Sequence, residues 1–364
     1  MSLLGVALRL LAAGRAETVE RVYAQSLYPR IARALTAATA WASFSIAEVC
    51  ILALAPVALV AAGRGAVRAF RSPALLRGLG SGLLAIAIGA SVAYLFFLLI
   101  WGLNYQRRPL AASVGLPVGR AEPGELAAVC AELIERSELL RGAVEEDETG
   151  VARVPGGISG ALGRASLGYD ALAEEWPLVA GGPVAVKRVW LSPGLSLLGI
   201  SGIFFPFTGE ANVNTTLPEW TLPFIAAHEV AHQRGFARED EANYLAYAAC
   251  RRHPDAAARY ASALEGSLYA LGALRGTDPD AHHALQSRRG PAVMRDLDAL
   301  EAWRRRYESR AGAVQEKVND AYLRAQGQDG VSSYGRMVDL LLAERRHRAG
   351  GAASRPQTPR ARQE

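Results

Sequence analysis

Two runs of apolar residues dominate the first third of the chain. The first opens on Ser45-Ile46-Ala47-Glu48, the spacing of a capping box. There the serine hydroxyl accepts from the amide three residues on, and the Glu reaches back to the serine amide. A helix from this point to Gly63 is near the minimum for crossing a hydrocarbon core, and part of residues 35–44 extends it, giving a span over about 42–63. Residues 79–103 carry no charge and end near Trp101 and Tyr105, aromatic residues suited to a membrane–water interface. Between the runs, Arg64, Arg68, Arg71 and Arg77 form a short basic loop without an acidic residue. Basic loops stay in the cytoplasm, so residues 64–77 are expected there and everything after Leu103 outside. Residues 1–104 thus read as a membrane region in a multi-pass protein of the plasma membrane. Residues 1–14, short and broken by Arg9, read as an interfacial helix or a vestigial span, and not as a signal peptide.

Beyond residue 104 the pattern changes. Residues 125–140 have helical periodicity, 151–163 form a Gly-rich loop, and 184–191, 200–205 and 210–214 read as strands. Helices follow at about 224–234, 238–252 and 254–274, and a long charged one across 293–326. Strands first and helices later predict an α+β domain over residues 105–344, on the extracytoplasmic side.

A hydrophobic content of 51% and a mean hydropathy of +0.10 suit a chain with a membrane portion. The net charge of +5 is not spread over the surface. Arg345, Arg346, Arg348, Arg355, Arg360 and Arg362 against Glu364 account for all of it, so no nucleic-acid partner is expected. The tail 345–364 mixes Pro, Gly, Ala and Arg without apolar periodicity and reads as disordered. Cys50, Cys130 and Cys250 lack metal-ligand spacing and read as buried free thiols.

The chemistry is concentrated at His228-Glu229-Val230-Ala231-His232. On a helix, two His four apart lie on one face and can reach one ion, with Zn–N distances of about 2.0–2.1 Å. Glu229 points about 100° away from His228 and is placed to contact a water rather than the ion. Zinc lowers the pKa of such a water to about 7, and a carboxylate beside it serves as general base. Phe224, Ile225, Ala226, Ala227, Val230 and Ala231 make this helix apolar almost all round, so its polar residues need partners, which a metal supplies. Pro223 suits the first turn and Gly235 the left-handed position past the end. A third His three residues after Gly235 would fall at Arg238, which excludes an all-His set. The nearest acids are Glu239, Asp240 and Glu241; Glu239 is favoured as third ligand, with Glu241 the alternative. Asn243 shares the Glu239 face and is placed to hydrogen-bond a ligand. Glu210, Asn212 and Asn214 alternate, so they share one strand face and are candidates to line a substrate cleft. Phe204 and Phe205 read as core, and His253, His282, His283 and His347 as surface residues.

Thr208-Gly-Glu-Ala-Asn-Val-Asn214 and the long segment from Pro223 through His228-Glu-Val-Ala-His232 to Tyr247 resemble the bacterial membrane-protein family catalogued as domain of unknown function 3810. Trp101-Gly-Leu-Asn-Tyr105 and Ser333-Tyr-Gly-Arg336 are also similar to that family. The family in turn resembles the gluzincin-like metallopeptidases, and Glu239-Asp-Glu-Ala-Asn243 is similar to their helix whose first Glu binds zinc. The resemblance implies a zincin-like metallopeptidase domain behind transmembrane helices. The expected function is zinc-dependent hydrolysis of a peptide or protein substrate at the bilayer, with Glu229 as base. Two alternatives stand beside it: a zinc amidase acting on a cell-wall or small-molecule amide, and a membrane sensor or scaffold with structural zinc. An intact Glu229 argues against the last, since a structural site closes with four ligands and needs no base.

Overall fold

Ile46–Arg71 and Leu75–Ile100 are paired helices in a computed structural model that describes residues 3–71, 75–119, 121, 124–182, 184–328 and 336–353. Within them, Ile46–Val67 (22 residues) and Gly80–Ile100 (21 residues) are long and apolar enough to cross a membrane. Leu54, Leu59, Leu83 and Ile86 stand exposed along them. The first helix differs from its expected bounds at both ends. Tyr28–Thr39 is a separate helix, so residues 35–44 do not lengthen the span. At the other end the helix continues through Arg64 to Arg71, because nothing before Pro73 stops it. The expected basic loop is therefore helical as far as Arg71, and residues 72–74 lie outside the described residues.

The start of this helix is capped from two directions. The Glu48 amide donates to Ser45 Oγ at 3.0 Å, which is half of the expected box. The other half is not made: the Glu48 carboxylate accepts from the Trp190 and Leu191 amides at 2.9 and 2.6 Å. Glu210 supplies what is missing. Its two oxygens accept from the Ile46 amide at 3.0 Å and the Ala47 amide at 2.8 Å. A carboxylate there satisfies orphan donors and complements the helix dipole.

Leu3–Ala13 is a helix that leaves Leu4, Leu10 and Leu11 exposed. Eleven residues span only about 17 Å, too short to cross a bilayer. After the π-helical stretch Val19–Leu27 and the helix Tyr28–Thr39, this N-terminal region packs a second core. Val19, Tyr23 and Tyr28 meet Ile100, Trp101, Tyr105 and Phe204 there.

The rest is mostly helical around a small mixed sheet of order β1-β3-β2. β1 (Val186–Arg188) runs parallel to the central β3 (Glu210–Val213), and β2 (Gly202–Phe205) pairs antiparallel on its other side. β2 is thus an edge strand. The helices Glu125–Arg141, Leu222–Gln233, Glu239–Arg252 and Ala256–Thr277 build the main core, in which Trp220, Tyr169, Tyr244 and Tyr260 are fully buried. The expected helix over 293–326 is two, Pro291–Tyr307 and Arg310–Ala325, because Ser309 caps a new start by accepting from the Gly312 amide at 3.0 Å. Part of the Gly-rich stretch is also helical, Gly157–Gly163. The last helix, Met337–Ala353, enters the segment expected to be disordered. Arg345 and Arg346 hold it there through Glu132 (2.9 Å) and Glu125 (2.5 Å). Residues 354–364, like Ser333 to Gly335, lie outside the described residues. Cys130 and Cys250 are buried free thiols, while Cys50 is partly exposed.

Candidate metal centre

The helix Leu222–Gln233 carries Pro223 in its first turn and ends at Gly235, whose φ of 85° is the left-handed conformation that glycine adopts without strain. The Gly235 amide donates to the His232 carbonyl and the Phe236 amide to the Ala231 carbonyl, each at 3.0 Å, closing the helix end. A Cβ on Gly235 would lie 2.7 Å from the Tyr28 ring, so the space also requires glycine. This sharp stop brings the next helix, Glu239–Arg252, back against the first.

Its leading residue, Glu239, meets both histidines. His228 Nε2 and His232 Nε2 are 3.0 Å apart, His228 Nε2 lies 3.3 Å from Glu239 Oε2, and His232 Nε2 lies 3.6 Å from Glu239 Oε1. Ligands at about 2.0–2.1 Å from a tetrahedral ion are separated by about 3.3 Å, so the three donors have the spacing that such an ion needs. His232 Nδ1 lies 2.8 Å from the Phe236 carbonyl. In the neutral ring the N–H on that side donates to the carbonyl, which turns the Nε2 lone pair toward Glu239 and His228. His228, His232 and Glu239 are the group that could hold a metal ion among the described residues.

The electrostatics follow from burial and proximity. Burial opposes charge on His232, but the Glu239 carboxylate outweighs it and moves the imidazole pKa up to about 9. Burial likewise disfavours the Glu239 anion, and His232 and His228 more than compensate, holding the carboxyl well below its ordinary value. Glu229 goes the other way: burial raises it, against the pull of His228 and His232. Its side chain is enclosed, and among the described residues Glu229 Oε2 has no hydrogen-bond partner.

Glu241, the alternative ligand, is turned away. Its Oε1 accepts from the Leu110 amide at 2.7 Å and lies 3.5 Å from Arg238 Nη1. Asn243 lines the same cleft as Glu239, buried, with Nδ2 unpartnered among the described residues. That cleft has a volume of about 610 Å³ and includes Glu229, both histidines and Glu239. One wall is β2. The Asn214 amide donates to the Ser201 carbonyl at 2.9 Å, and alternation from that pair turns the main-chain groups of Gly202 and Phe204 away from β3. Gly202 stands against the Glu229 carboxylate: a Cβ there would be 2.4 Å from Glu229 Oε1.

The structure corrects the expected cleft residues. Glu210, Asn212 and Asn214 do share one face, but it is the buried face away from the histidines, since Val213 takes the side packed in the main core. Glu210 caps the first apolar helix, Asn212 Nδ2 donates to the Ile203 carbonyl at 3.2 Å, and Asn214 Nδ2 donates to Ser196 Oγ and the Ile200 carbonyl at 2.9 Å. His253 is also not a surface residue: Nε2 lies 2.9 Å from the Arg164 carbonyl and Nδ1 accepts from the Asp255 amide at 3.0 Å. His283 and His347 are exposed, and His282 is partly so.

A layer behind the histidines was not legible as such. Trp101 is buried rather than interfacial, and its Nε1 donates to the His232 carbonyl at 2.9 Å. Tyr28 Oη donates to the Gln233 carbonyl at 2.7 Å. Arg107 Nη1 donates to the Gly235 carbonyl at 2.9 Å while the same guanidinium pairs with buried Glu20 at 2.6 Å and covers the Phe236 ring at 4.1 Å. The Trp-Gly-Leu-Asn-Tyr motif was the available signal for Trp101; nothing local marks Tyr28, Arg107 or Glu20.

No curated protein and no solved structure matches the chain. The profile of a family described as "Protein of unknown function (DUF3810)" matches residues 23–342, which include the donor triad, the edge strand and both apolar helices, and the chain belongs to that family.

Proposed function

We propose that the chain is a membrane-anchored, zinc-dependent peptide hydrolase of gluzincin-like type, its helices and small sheet forming a zincin-like domain. One observation carries the reading. Three donors 3.0–3.6 Å apart adjoin an enclosed carboxylate, Glu229, one of whose oxygens has no hydrogen-bond partner among the described residues. Such a group is costly to bury without a purpose. In this reading His228, His232 and Glu239 hold zinc, and Asn243 stands beside Glu239 in the cleft. Zinc bound there supplies Lewis-acid polarisation of a carbonyl and acidification of a water. Glu229 takes the proton of the attacking water and delivers it to the departing amine. The outward main-chain groups of Gly202 and the Phe204 carbonyl hold an extended substrate as an added strand, with the Phe204 amide turned to the Glu229 carboxylate. Tyr105, Tyr269 and Tyr322 line the cleft, and in this reading a phenol among them serves as donor to a developing oxyanion.

A structural-zinc scaffold would not account for Glu229, and a three-donor set leaves a position for substrate or water. The test compares wild type with Glu229→Gln for zinc content and for hydrolysis of a pooled peptide library. Retained zinc with a loss of about 10²–10⁴ in rate is expected; equal rates would remove Glu229 as base. We further propose that the two apolar helices span the plasma membrane with the hydrolase domain outside. A reporter fused after Gln326 that registers as cytoplasmic would reverse this orientation.

A further inference from the structure

The cleft opens where the apolar helices end. Phe97 and Trp101, at the end of the stretch Gly80–Ile100, form part of the cleft wall. The neighbouring Phe96 stacks on Phe207 at 5.8 Å, and Phe207 packs on Phe205 at 5.5 Å, in the turn that joins β2 to β3. Across the same hairpin, Glu210 caps the beginning of Ile46–Val67. Both membrane-sized stretches therefore meet the β2–β3 hairpin, which places that hairpin at the bilayer surface. Phe96, Ile203 and Phe207 are 51%, 43% and 38% exposed, so an apolar surface runs from the helix onto the edge strand.

We propose that the substrate is a polypeptide anchored in the same bilayer and cut within a few residues of the membrane surface. This rests on the peptide-hydrolase reading above and adds the class of substrate. A chain added to the open side of β2 runs between the hairpin turn and Gly202, which adjoins Glu229. Phe205 lies three positions from Gly202, a distance of about 10 Å along a strand. The bond presented to Glu229 thus lies roughly 3–6 residues from the end of the substrate's own membrane segment. A chain that leaves the bilayer beside Phe207 enters the cleft already extended. Its anchor keeps it at a high effective concentration without specific side-chain contacts, while a soluble peptide reaches the same apolar rim only by collision.

The experiment uses the full chain in proteoliposomes with two pooled libraries of the same randomised segment. One library is fused to a transmembrane helix in the same vesicles and the other is free in solution. Cut positions are read by mass spectrometry, with Glu229→Gln as the blank. The expected result is cleavage of the anchored library faster by about 10²-fold, with cuts clustered a few residues from the anchor. Equal rates, or cuts spread without regard to the anchor, overturn the proposal and leave the hydrolase reading standing. Cleavage of neither library by the zinc-loaded wild type removes the hydrolase reading, and the proposal falls with it.

Discussion

Trp101 Nε1 donates to the main-chain carbonyl of His232 at 2.9 Å, joining the residue after the second apolar helix to a member of the donor triad. The His232 carbonyl belongs to the last turn of its helix, where carbonyls lack partners within the helix. Tyr28 and Arg107 treat the neighbouring carbonyls of Gln233 and Gly235 in the same way. The N-terminal third thus supplies the donors that fix the end of the His228–His232 helix.

Trp101→Phe keeps an aromatic ring but removes that donor. The His232 carbonyl keeps the Gly235 amide, so the loss of one of its hydrogen bonds costs about 0.5–1.5 kcal/mol, and loss of support behind a ligand typically costs 10- to 100-fold in metal affinity. The expected outcome is a lower Tm and zinc binding weaker by about 10-fold, measured by thermal unfolding and by chelator competition in detergent. Unchanged values in both would mean that Tyr28 and Arg107 suffice.

Glu239→Ala and Glu241→Ala separate the two acids. Glu239 stands against both histidines, so its loss removes bound zinc, as His228→Ala and His232→Ala also do. Glu241 instead serves the Leu110 amide, so Glu241→Ala keeps the metal and lowers stability by about 1–3 kcal/mol. Elemental analysis beside a melting curve reads both effects. Zinc lost from Glu241→Ala and kept in Glu239→Ala would exchange their roles.

Zinc affinity should depend on pH in a set direction. The His232 pKa rises from 6.5 to about 9 in the folded, metal-free protein: burial opposes the charge, and Glu239 overcomes it. The protonated imidazole therefore stabilises the fold fully below the unfolded pKa of 6.5, and this contribution is lost as pH rises through about 9. Zinc must displace the same proton, so its affinity rises about tenfold per pH unit and levels off above about 9. Competition titrations between pH 6 and pH 9 check this, and a flat profile would mean that His232 is already neutral at pH 6.

Gly202→Ala should disable the site without emptying it. The new methyl would meet Glu229 Oε1 at 2.4 Å, so the carboxylate or the edge strand must shift. Zinc content stays near one per chain, because the atoms nearest the new methyl all belong to Glu229, while hydrolysis falls about 10²-fold or more, as expected for a displaced catalytic group. An activity equal to wild type would show that Glu229 tolerates displacement and does not act from this position.

What the sequence by itself determined was local. His228, Glu229 and His232 sit on one short helix, so helical geometry alone put both imidazoles on one face and the carboxylate beside them. Run length alone marked the two membrane-sized helices, and Gly235 marked the turn that returns Glu239 to the histidines. The choice between Glu239 and Glu241 needed the tertiary structure. Both acids open the same helix, and only the packing of that helix decides which one faces the histidines. The same holds for Glu210, Asn212 and Asn214. Alternation put them on a common face, but their partners, such as the Ile46 amide 164 residues away, cannot be read from alternation. His253 and Trp101 differ from expectation for this reason too, since each is buried by main-chain carbonyls brought from elsewhere. Periodicity states which side chains share a face; which element covers that face is set by long-range burial, when the whole chain packs.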